Sequence, residues 1–132
     1  MTIETNPPLV IGHDQMARLE NMAGAQMARN PALADRLLYE LGRASTIADN
    51  ELPADVVRLG SRVIYRDESK GKDEEISLVW PEEADISQGR ISILTPLGVA
   101  LIGLREGAHF FWETRRDVQR KLLILRVTPP VD

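Results

Sequence analysis

The chain has 132 residues, of which 43% are hydrophobic and 27% charged, and its formal net charge is −4. This size and balance are typical of a soluble globular protein with one domain plus an appendage, or with two small domains. The acidic balance argues against a protein that binds nucleic acid through a basic surface. Because there is no cysteine and there are only two histidines, we expect no disulfide, no thiolate chemistry and no histidine-rich metal site.

The N-terminus carries no basic stretch followed by a long apolar run, so it does not predict a signal peptide. No apolar run approaches the roughly 20 residues that a membrane-spanning helix needs. We therefore expect a cytoplasmic protein. Residues 1–8 are polar and end in two prolines, and the apolar run from Leu9 to Ile11 predicts a short strand that could add to a sheet.

Two helices are predicted in the first third of the chain. The first runs from Asp14, as its N-cap, to about Arg29, since apolar residues recur there at spacings of three and four. Asn30-Pro31 begins the second helix, because asparagine caps a helix and proline fits its first turn. The same spacing continues to Ala48, and charged residues occupy the opposite face: Arg36, Glu40 and Arg43.

So short a connection predicts that the two helices run antiparallel and pack on each other. With roughly 16 residues in each, the hairpin would project by about 25 Å. The simplest interpretation is that its apolar residues pack into the core. The alternative is that they line a groove that binds a partner. The polar segment 49–55 separates the helical part from a part that is β in character. We therefore predict an N-terminal part over 1–52 and a second domain over 53–132.

The sequence of the second domain predicts a small sheet with one short helix. Alternating or apolar runs predict four or five antiparallel strands, at 61–67, 75–80, 91–93, 109–114 and 121–127. The connections are a charged turn at 68–73, an acidic loop at 81–89 and a turn at 115–117. The aromatic run Phe110-Phe111-Trp112 must point to both sides of its strand, so at least one ring belongs to the core. The predicted class is α+β.

The stretch from Ile91 to Leu104 predicts a strand, a sharp stop and a buried helix. Pro96 cannot donate to a sheet but suits the first turn of a helix, and Thr95 is a plausible N-cap. The residues after Pro96 are almost all apolar, so this helix should pack against the sheet. Gly103 ends it.

Motifs of catalysis are missing from the sequence. There is no phosphate-binding glycine loop and no nucleophile elbow. His13 and His109 are more simply explained as exposed or hydrogen-bonded side chains than as catalytic residues. The acidic clusters at 73–75 and 82–85 lack the spacing of a cation-binding loop. We predict no catalytic, cofactor-binding or metal-binding residue. The pair Arg115-Arg116 would either contact an acidic partner or form a solvent-exposed turn.

Several segments resemble the C-terminal domain of the bacterial Gre transcript-cleavage factors. These are Leu59-Gly60-Ser61-Arg62-Val63, Glu83-Ala84-Asp85, the run from Gly89 to Ser92, and the run from Thr95 to Gly103. The similarity covers about residues 55–128. It departs from the family at Thr95, where serine is usual, and at Ala108, where an acidic residue usually follows the glycine.

The resemblance implies an FKBP-like C-terminal domain that docks on RNA polymerase at the rim of its secondary channel, with the helical hairpin pointing into the channel. It assigns the polymerase contact to Thr95, Pro96, Leu97 and Gly98, although proline and glycine would serve equally to build the turn. The short hairpin and the junction 51–57 are similar to the Rnk family, which is named for regulation of nucleoside diphosphate kinase. No residue indicates direct binding to that kinase, so an effect through transcription is equally open.

Gre factors are expected to assist cleavage with carboxylates at the tip of a long coiled coil, where an oxygen ligand helps to hold Mg²⁺. The tip here, residues 27–33, has no carboxylate, and Asp35 lies a turn into the second helix. We therefore expect a regulator that competes with Gre factors without stimulating cleavage. The alternatives are a true Gre-type cleavage factor, which would depend on Asp35, and a peptidyl-prolyl isomerase, which fold analogy alone suggests.

Overall fold

The structure is a computed structural model that describes residues 7–68, 70–113 and 119–130. It combines a helical hairpin with a mainly antiparallel five-stranded sheet, so the predicted α+β class is confirmed. No helix in these ranges is long and apolar enough to cross a membrane. The elements are, in order, β1 (Val10–Gly12), α1 (His13–Gln26), α2 (Pro31–Gly42), β2 (Ser45–Ile47), β3 (Arg62–Asp67), β4 (Lys72–Val79), β5 (Arg90–Ser92), α3 (Pro96–Leu101), β6 (His109–Glu113) and β7 (Gln119–Thr128).

The main sheet has five strands in the order β5-β4-β3-β7-β6. Neighbouring strands are antiparallel except β4 and β5, which are parallel. The prediction of a wholly antiparallel sheet was therefore wrong at β5. The reason is the acidic loop, whose two short 3-10 turns at Pro81–Glu83 and Ile86–Gln88 carry the chain back before β5 begins. A tight hairpin would have reversed the strand direction.

The helical hairpin is shorter than predicted. Helix α1 has 14 residues and α2 has 12, so their lengths are about 21 and 18 Å. Helix α2 ends at Gly42 rather than near Ala48, because Ser45–Ile47 forms β2 and pairs in parallel with β1. The strand predicted near Leu9 to Ile11 is thus present as β1, but its partner is β2 and not the main sheet.

The two hairpin helices are capped in different ways. Asn30 caps α2 as predicted, since its Oδ1 accepts the backbone N–H of Leu33 at 3.2 Å. Asp14 is not the N-cap of α1; Gly12 holds that position, and the Asp14 N–H donates to Oδ1 of Asp49 at 2.9 Å. A Cβ on Gly12 would lie 2.6 Å from the Asp49 carboxyl carbon. A carboxylate of the junction therefore caps a helix 35 residues earlier in the chain.

The core lies between α3, the inner face of the main sheet and the inner sides of α1, α2 and β1. Its largest fully buried side chains are Phe110, Leu9, Ile11, Leu19, Leu37, Leu78, Ile93, Leu101, Ile102, Leu104, Leu122 and Ile124. The expected core aromatic is thus Phe110, while the side chains of Phe111 and Trp112 lie outside those that the structure describes.

Glu40 was expected on the exposed face of α2, and that expectation was wrong. The residue is 4% exposed. Its carboxylate accepts a hydrogen bond from Nε of Arg43 at 2.8 Å and lies 3.4 Å from Nε of Arg36. Arg43 also donates to the carbonyl oxygen of Pro7 at 2.9 Å. Two guanidinium groups therefore compensate the buried carboxylate, and the cluster ties the chain before β1 to α2.

Helix α3 approaches its surroundings at distances that require glycine. A Cβ on Gly98 would lie 2.5 Å from the Ser92 carbonyl oxygen and 2.9 Å from the Ile93 Cα. Both atoms belong to the backbone, which cannot move aside as a flexible side chain can. The end of β5 and the first turn of α3 therefore pack directly on each other.

We predict that Gly98→Ala lowers the free energy of unfolding by about 2–3 kcal/mol, because the added methyl forces the helix away from β5. Urea denaturation measures this change. The matched control is Gly24→Ala in α1, where nothing lies within 4 Å of the added Cβ. That change should stabilise the protein by about 0.5–1 kcal/mol. Equal effects at the two glycines would contradict the close approach of α3.

Candidate protein-binding site

The corner between β5 and α3 is held by side chains that bond to its own backbone. Thr95 is the N-cap of α3 as predicted, and its Oγ1 accepts the Gly98 N–H at 3.0 Å. The same hydroxyl donates to the Ser92 carbonyl oxygen at 2.7 Å. The Ser92 hydroxyl in turn accepts the Leu94 N–H at 2.9 Å. These bonds and Pro96 in the first turn give the corner a defined shape.

The four residues predicted to contact polymerase differ in exposure. Pro96 is exposed, Thr95 and Leu97 are half-buried, and Gly98 is buried. A partner that approaches this corner can touch the proline ring and the edges of its two neighbours. Gly98 has no surface to offer, so its role in the corner is to permit the close packing of α3. This corner, residues 95–98, is called the α3 corner below.

A groove of about 390 Å³ lies beside the α3 corner, between α1 and the loop that leads to β5. Most of its lining is apolar, and its polar groups are the Gln26 amide, the Arg29 guanidinium and the Glu82 carboxylate. The lining residues are Met22, Ala25, Gln26, Arg29, Pro81, Glu82 and Leu94. Leu94 directly precedes the corner, so the groove adjoins it along the chain. The hairpin and the sheet part both contribute to the groove.

Arg18 of α1 holds the hairpin against the sheet part. Its guanidinium carbon lies 3.8 Å from the centre of the Trp80 ring, and the same group forms an ion pair with Glu82. Nearer the base of the hairpin, Oε1 of Gln15 accepts the backbone N–H of Leu59 at 3.3 Å. Together these contacts set the width of the groove. Glu82 pairs with Arg18 while its side chain stays exposed.

The Arg18 contacts could not be predicted from the sequence, because the partners are more than 60 residues apart. One signal was present, since Trp80, Pro81 and Glu82 bring an aromatic ring and a carboxylate together just after a strand. Nothing in the sequence indicates that α1 lies over them. The histidines agree with the simpler prediction: His13 is exposed, and Nε2 of His109 lies 3.3 Å from a Glu68 carboxylate oxygen.

The hairpin tip presents little charge. From Met27 to Leu33 it contains no carboxylate, and its only charged residue is the exposed Arg29. Arg29 forms no ion pair with any residue that the structure describes. Asp35 is exposed further along α2. Within 7–68, 70–113 and 119–130, no group of three or more histidine and acidic side chains could hold a metal ion.

Shifted pKa values occur on the main sheet, away from the groove. Burial raises the pKa of the Tyr65 hydroxyl, and the neighbouring Glu74 and Asp67 carboxylates raise it further. A hydrogen bond from Arg66 lowers the pKa of the Asp73 carboxyl below its usual range. Tyr65 therefore stays neutral at the edge of the core, and Asp73 stays charged on the open face. Arg115-Arg116, offered as a possible grip for an acidic partner, lies outside the described residues.

Comparison with known families agrees with this architecture. The family described as "Transcription elongation factor, GreA/GreB, C-term" matches residues 52–129, which is more than half of the chain. The chain therefore belongs to the GreA/GreB family. The segment before it, residues 7–46, matches the family described as "Rnk N-terminus" and covers the hairpin.

Two relatives show how far the likeness extends along the chain. The chain is 32% identical over 123 residues to the Regulator of nucleoside diphosphate kinase of Escherichia coli K12, which covers 93% of this chain and 90% of the relative. It is 36% identical over 86 residues to the Transcription elongation factor GreA of Nitrobacter winogradskyi, and covers 54% of that protein. By name, these relatives are a regulator and a transcription factor rather than enzymes.

Solved structures show the same fold. A prokaryotic transcription elongation factor GreA/GreB from Nitrosomonas europaea aligns with a TM-score of 0.72 and 34% identity, over 92% of this chain and 98% of that chain. Gfh1 from Thermus aquaticus aligns over 92% of this chain and 98% of its own with a TM-score of 0.50 and 19% identity, which indicates the fold alone. The family resemblance seen in the sequence is thus confirmed.

We predict that Arg18→Ala lowers the free energy of unfolding by about 1 kcal/mol, through loss of the cation–π contact and the ion pair. A double-mutant cycle with Trp80→Leu, followed by urea denaturation, isolates the contact. The coupling energy should be about 0.5–1 kcal/mol. Arg105→Ala is the control, since this exposed arginine has no ion pair among the described residues. A coupling energy of zero would mean that Arg18 does not hold the hairpin.

Proposed function

We propose that this protein binds RNA polymerase at the rim of the secondary channel and regulates transcription by competing with Gre factors, without stimulating transcript cleavage. The observation that carries the proposal is a contrast between two parts of one chain. The GreA/GreB-type part is present with an intact α3 corner, whereas the hairpin is short and its tip, residues 27–33, has no carboxylate.

The α3 corner supports the docking half of the proposal. Of the four predicted contact residues, Thr95, Pro96 and Leu97 are the proposed polymerase contact, and the buried Gly98 allows the close packing that forms the corner. Pro96 stands out from a rigid turn, and the half-buried Thr95 and Leu97 flank it. A rigid apolar projection loses little conformational entropy on binding, which favours recognition by a partner protein. The adjoining groove offers additional apolar surface to the same partner.

The hairpin supports the second part of the proposal, that the protein does not stimulate transcript cleavage. Stimulation of RNA cleavage through a catalytic Mg²⁺ needs an oxygen ligand delivered to that ion. Helices of about 18–21 Å give the hairpin a short reach. The only charged group at its tip is the Arg29 guanidinium, which repels a cation. The competing proposal, a Gre-type cleavage factor, relies on the exposed Asp35 of α2 as the nearest carboxylate.

The name of the E. coli relative raises a link to nucleoside diphosphate kinase. We propose that any such link is indirect and acts through transcription, because no residue of the sequence indicates direct binding to the kinase. The protein would then work in the cytoplasm, where the polymerase is, and would use 1–52 as the channel-facing part and 53–132 as the docking domain. No cofactor, membrane or sequence-specific nucleic acid enters this proposal.

We predict that the purified protein displaces a fluorescently labelled Gre factor from core RNA polymerase, as measured by anisotropy. Pro96→Glu should weaken the competition by about tenfold, since it places a charge on the apolar contact. Glutamate is tolerated at the first turn of a helix, so the fold should be retained. Ala54→Glu adds the same charge at an exposed position of the junction and should compete like the parent chain. Simultaneous binding of both proteins without displacement would refute the docking site.

We also predict that the protein leaves the cleavage rate of backtracked elongation complexes at its intrinsic value, because no carboxylate reaches the catalytic ion. The measurement is the appearance of short RNA cleavage products on a gel, with a Gre factor as the positive control. Stimulated cleavage that disappears in Asp35→Asn would instead establish the Gre-type alternative.

A further inference from the structure

The face of the main sheet that is turned away from α3 is open to solvent and carries a row of arginines. Register places Arg90 of β5 beside Ser77 of β4, Ser77 beside Arg62 of β3, and Arg62 beside Thr128 of β7. Paired residues point to the same side of a sheet, so these four share one face. Three of them are exposed and Ser77 is half-buried, whereas the next residue along β3, Val63, is fully buried.

The next rows of this face add aliphatic side chains and one more arginine. Ile64 of β3 lies between Glu75 of β4 and Arg126 of β7. One row further, Arg66 is paired with Leu123. Ile64 and Leu123 are half-buried, while Glu75, Arg126 and Arg66 are exposed. Exposed guanidinium groups therefore surround two aliphatic side chains that still reach the surface. We call this surface, built from 62, 64, 66, 75, 77, 90, 123 and 126, the outer face.

Most of the positive charge on the outer face is available. Arg66 is engaged, since its Nε donates to Oδ1 of Asp73 at 2.8 Å. Arg62, Arg90 and Arg126 form no ion pair and no side-chain hydrogen bond with any residue that the structure describes. Three free guanidinium groups on one face stand out in a chain whose net charge is −4.

A depression of about 240 Å³ opens beside Arg62. Its lining is mainly polar and comes from β3, β4 and the loop before β5: Arg62, Glu75, Ile76, Ser77, Gln88 and Gly89. A side chain of a partner can enter here and reach the Arg62 guanidinium. The outer face thus combines a charged recess with an aliphatic patch beside it.

We propose that the outer face binds an acidic protein segment in which carboxylates flank aliphatic side chains. Carboxylates pair with guanidinium groups through two parallel hydrogen bonds, and the aliphatic side chains cover Ile64 and Leu123. A nucleic acid is the weaker occupant, because its phosphates would satisfy the arginines but leave that aliphatic patch without an apolar partner. This surface is separate from the α3 corner, so the inference does not depend on binding to polymerase.

The test is an NMR titration of the ¹⁵N-labelled full chain with a short synthetic peptide of Glu-Glu-Leu repeats. We expect saturable shifts of backbone amides on the outer face, for example at Ile64, Ser77 and Arg126. A Glu-Glu-Ser peptide should bind more weakly, and a Lys-Lys-Leu peptide should not bind there. Shifts confined to other surfaces, or no saturable shift, would overturn the proposal. So would a single-stranded RNA oligonucleotide that binds the outer face more tightly than the peptide.

Two charge reversals give the matched comparison. Arg62→Glu with Arg126→Glu should weaken binding of the Glu-Glu-Leu peptide by about fivefold or more. Arg29→Glu with Arg105→Glu makes the same change in net charge away from the outer face and should leave affinity within about twofold. If the first pair disturbs the spectrum of the core, the neutral pair Arg62→Gln with Arg126→Gln replaces it, with a smaller loss expected. Equal loss in both pairs would indicate bulk charge rather than a binding face.

Discussion

Backbone packs closely on helix α3 from two sides, at Gly98 within the helix and at Gly103 just after it. On the sheet side, a Cβ at Gly98 would lie 2.5 Å from the Ser92 carbonyl oxygen. On the other side, a Cβ at Gly103 would lie 3.2 Å from the Val10 carbonyl oxygen, and the Val10 N–H donates to the Gly103 carbonyl oxygen at 3.0 Å. Gly103 also has a φ of 80°, which a side chain would strain. The N-terminal part and the sheet are therefore both positioned against this one helix.

That arrangement explains how a hairpin and a sheet domain come to share a surface. The contacts around α3 and the Asp49 cap hold the base of the hairpin, and Arg18 draws α1 toward Trp80 and Glu82 further out. The groove beside the α3 corner follows from these two constraints. A partner that recognises Pro96 would meet both parts of the chain at once. The proposed docking thus relies on the hairpin as a wall of the site, while the tip lacks the carboxylate that cleavage requires.

Local chemistry predicted much of this molecule. Thr95 and Asn30 are caps because an oxygen of suitable reach precedes a proline, and both are readable from three neighbouring residues. The predictions that were wrong concern features that depend on residues far away in the sequence. The end of α2 was misplaced because Ser45–Ile47 finds a parallel partner in β1, and the strand direction of β5 depends on how the acidic loop folds. Arg18 gave no local signal, since its partners lie more than 60 residues away.

We propose that the protein docks on RNA polymerase as Gre factors do but does not stimulate RNA cleavage. This combination is open to a direct test. It is tested most directly by adding increasing amounts of the chain to backtracked elongation complexes that already contain a Gre factor, and by following the RNA cleavage rate. We expect the cleavage rate to fall with increasing concentration of the chain to the intrinsic rate of the polymerase, because the Gre factor is displaced. A Gre-stimulated rate that stays constant at saturating amounts of the chain, or that rises, would contradict the proposal.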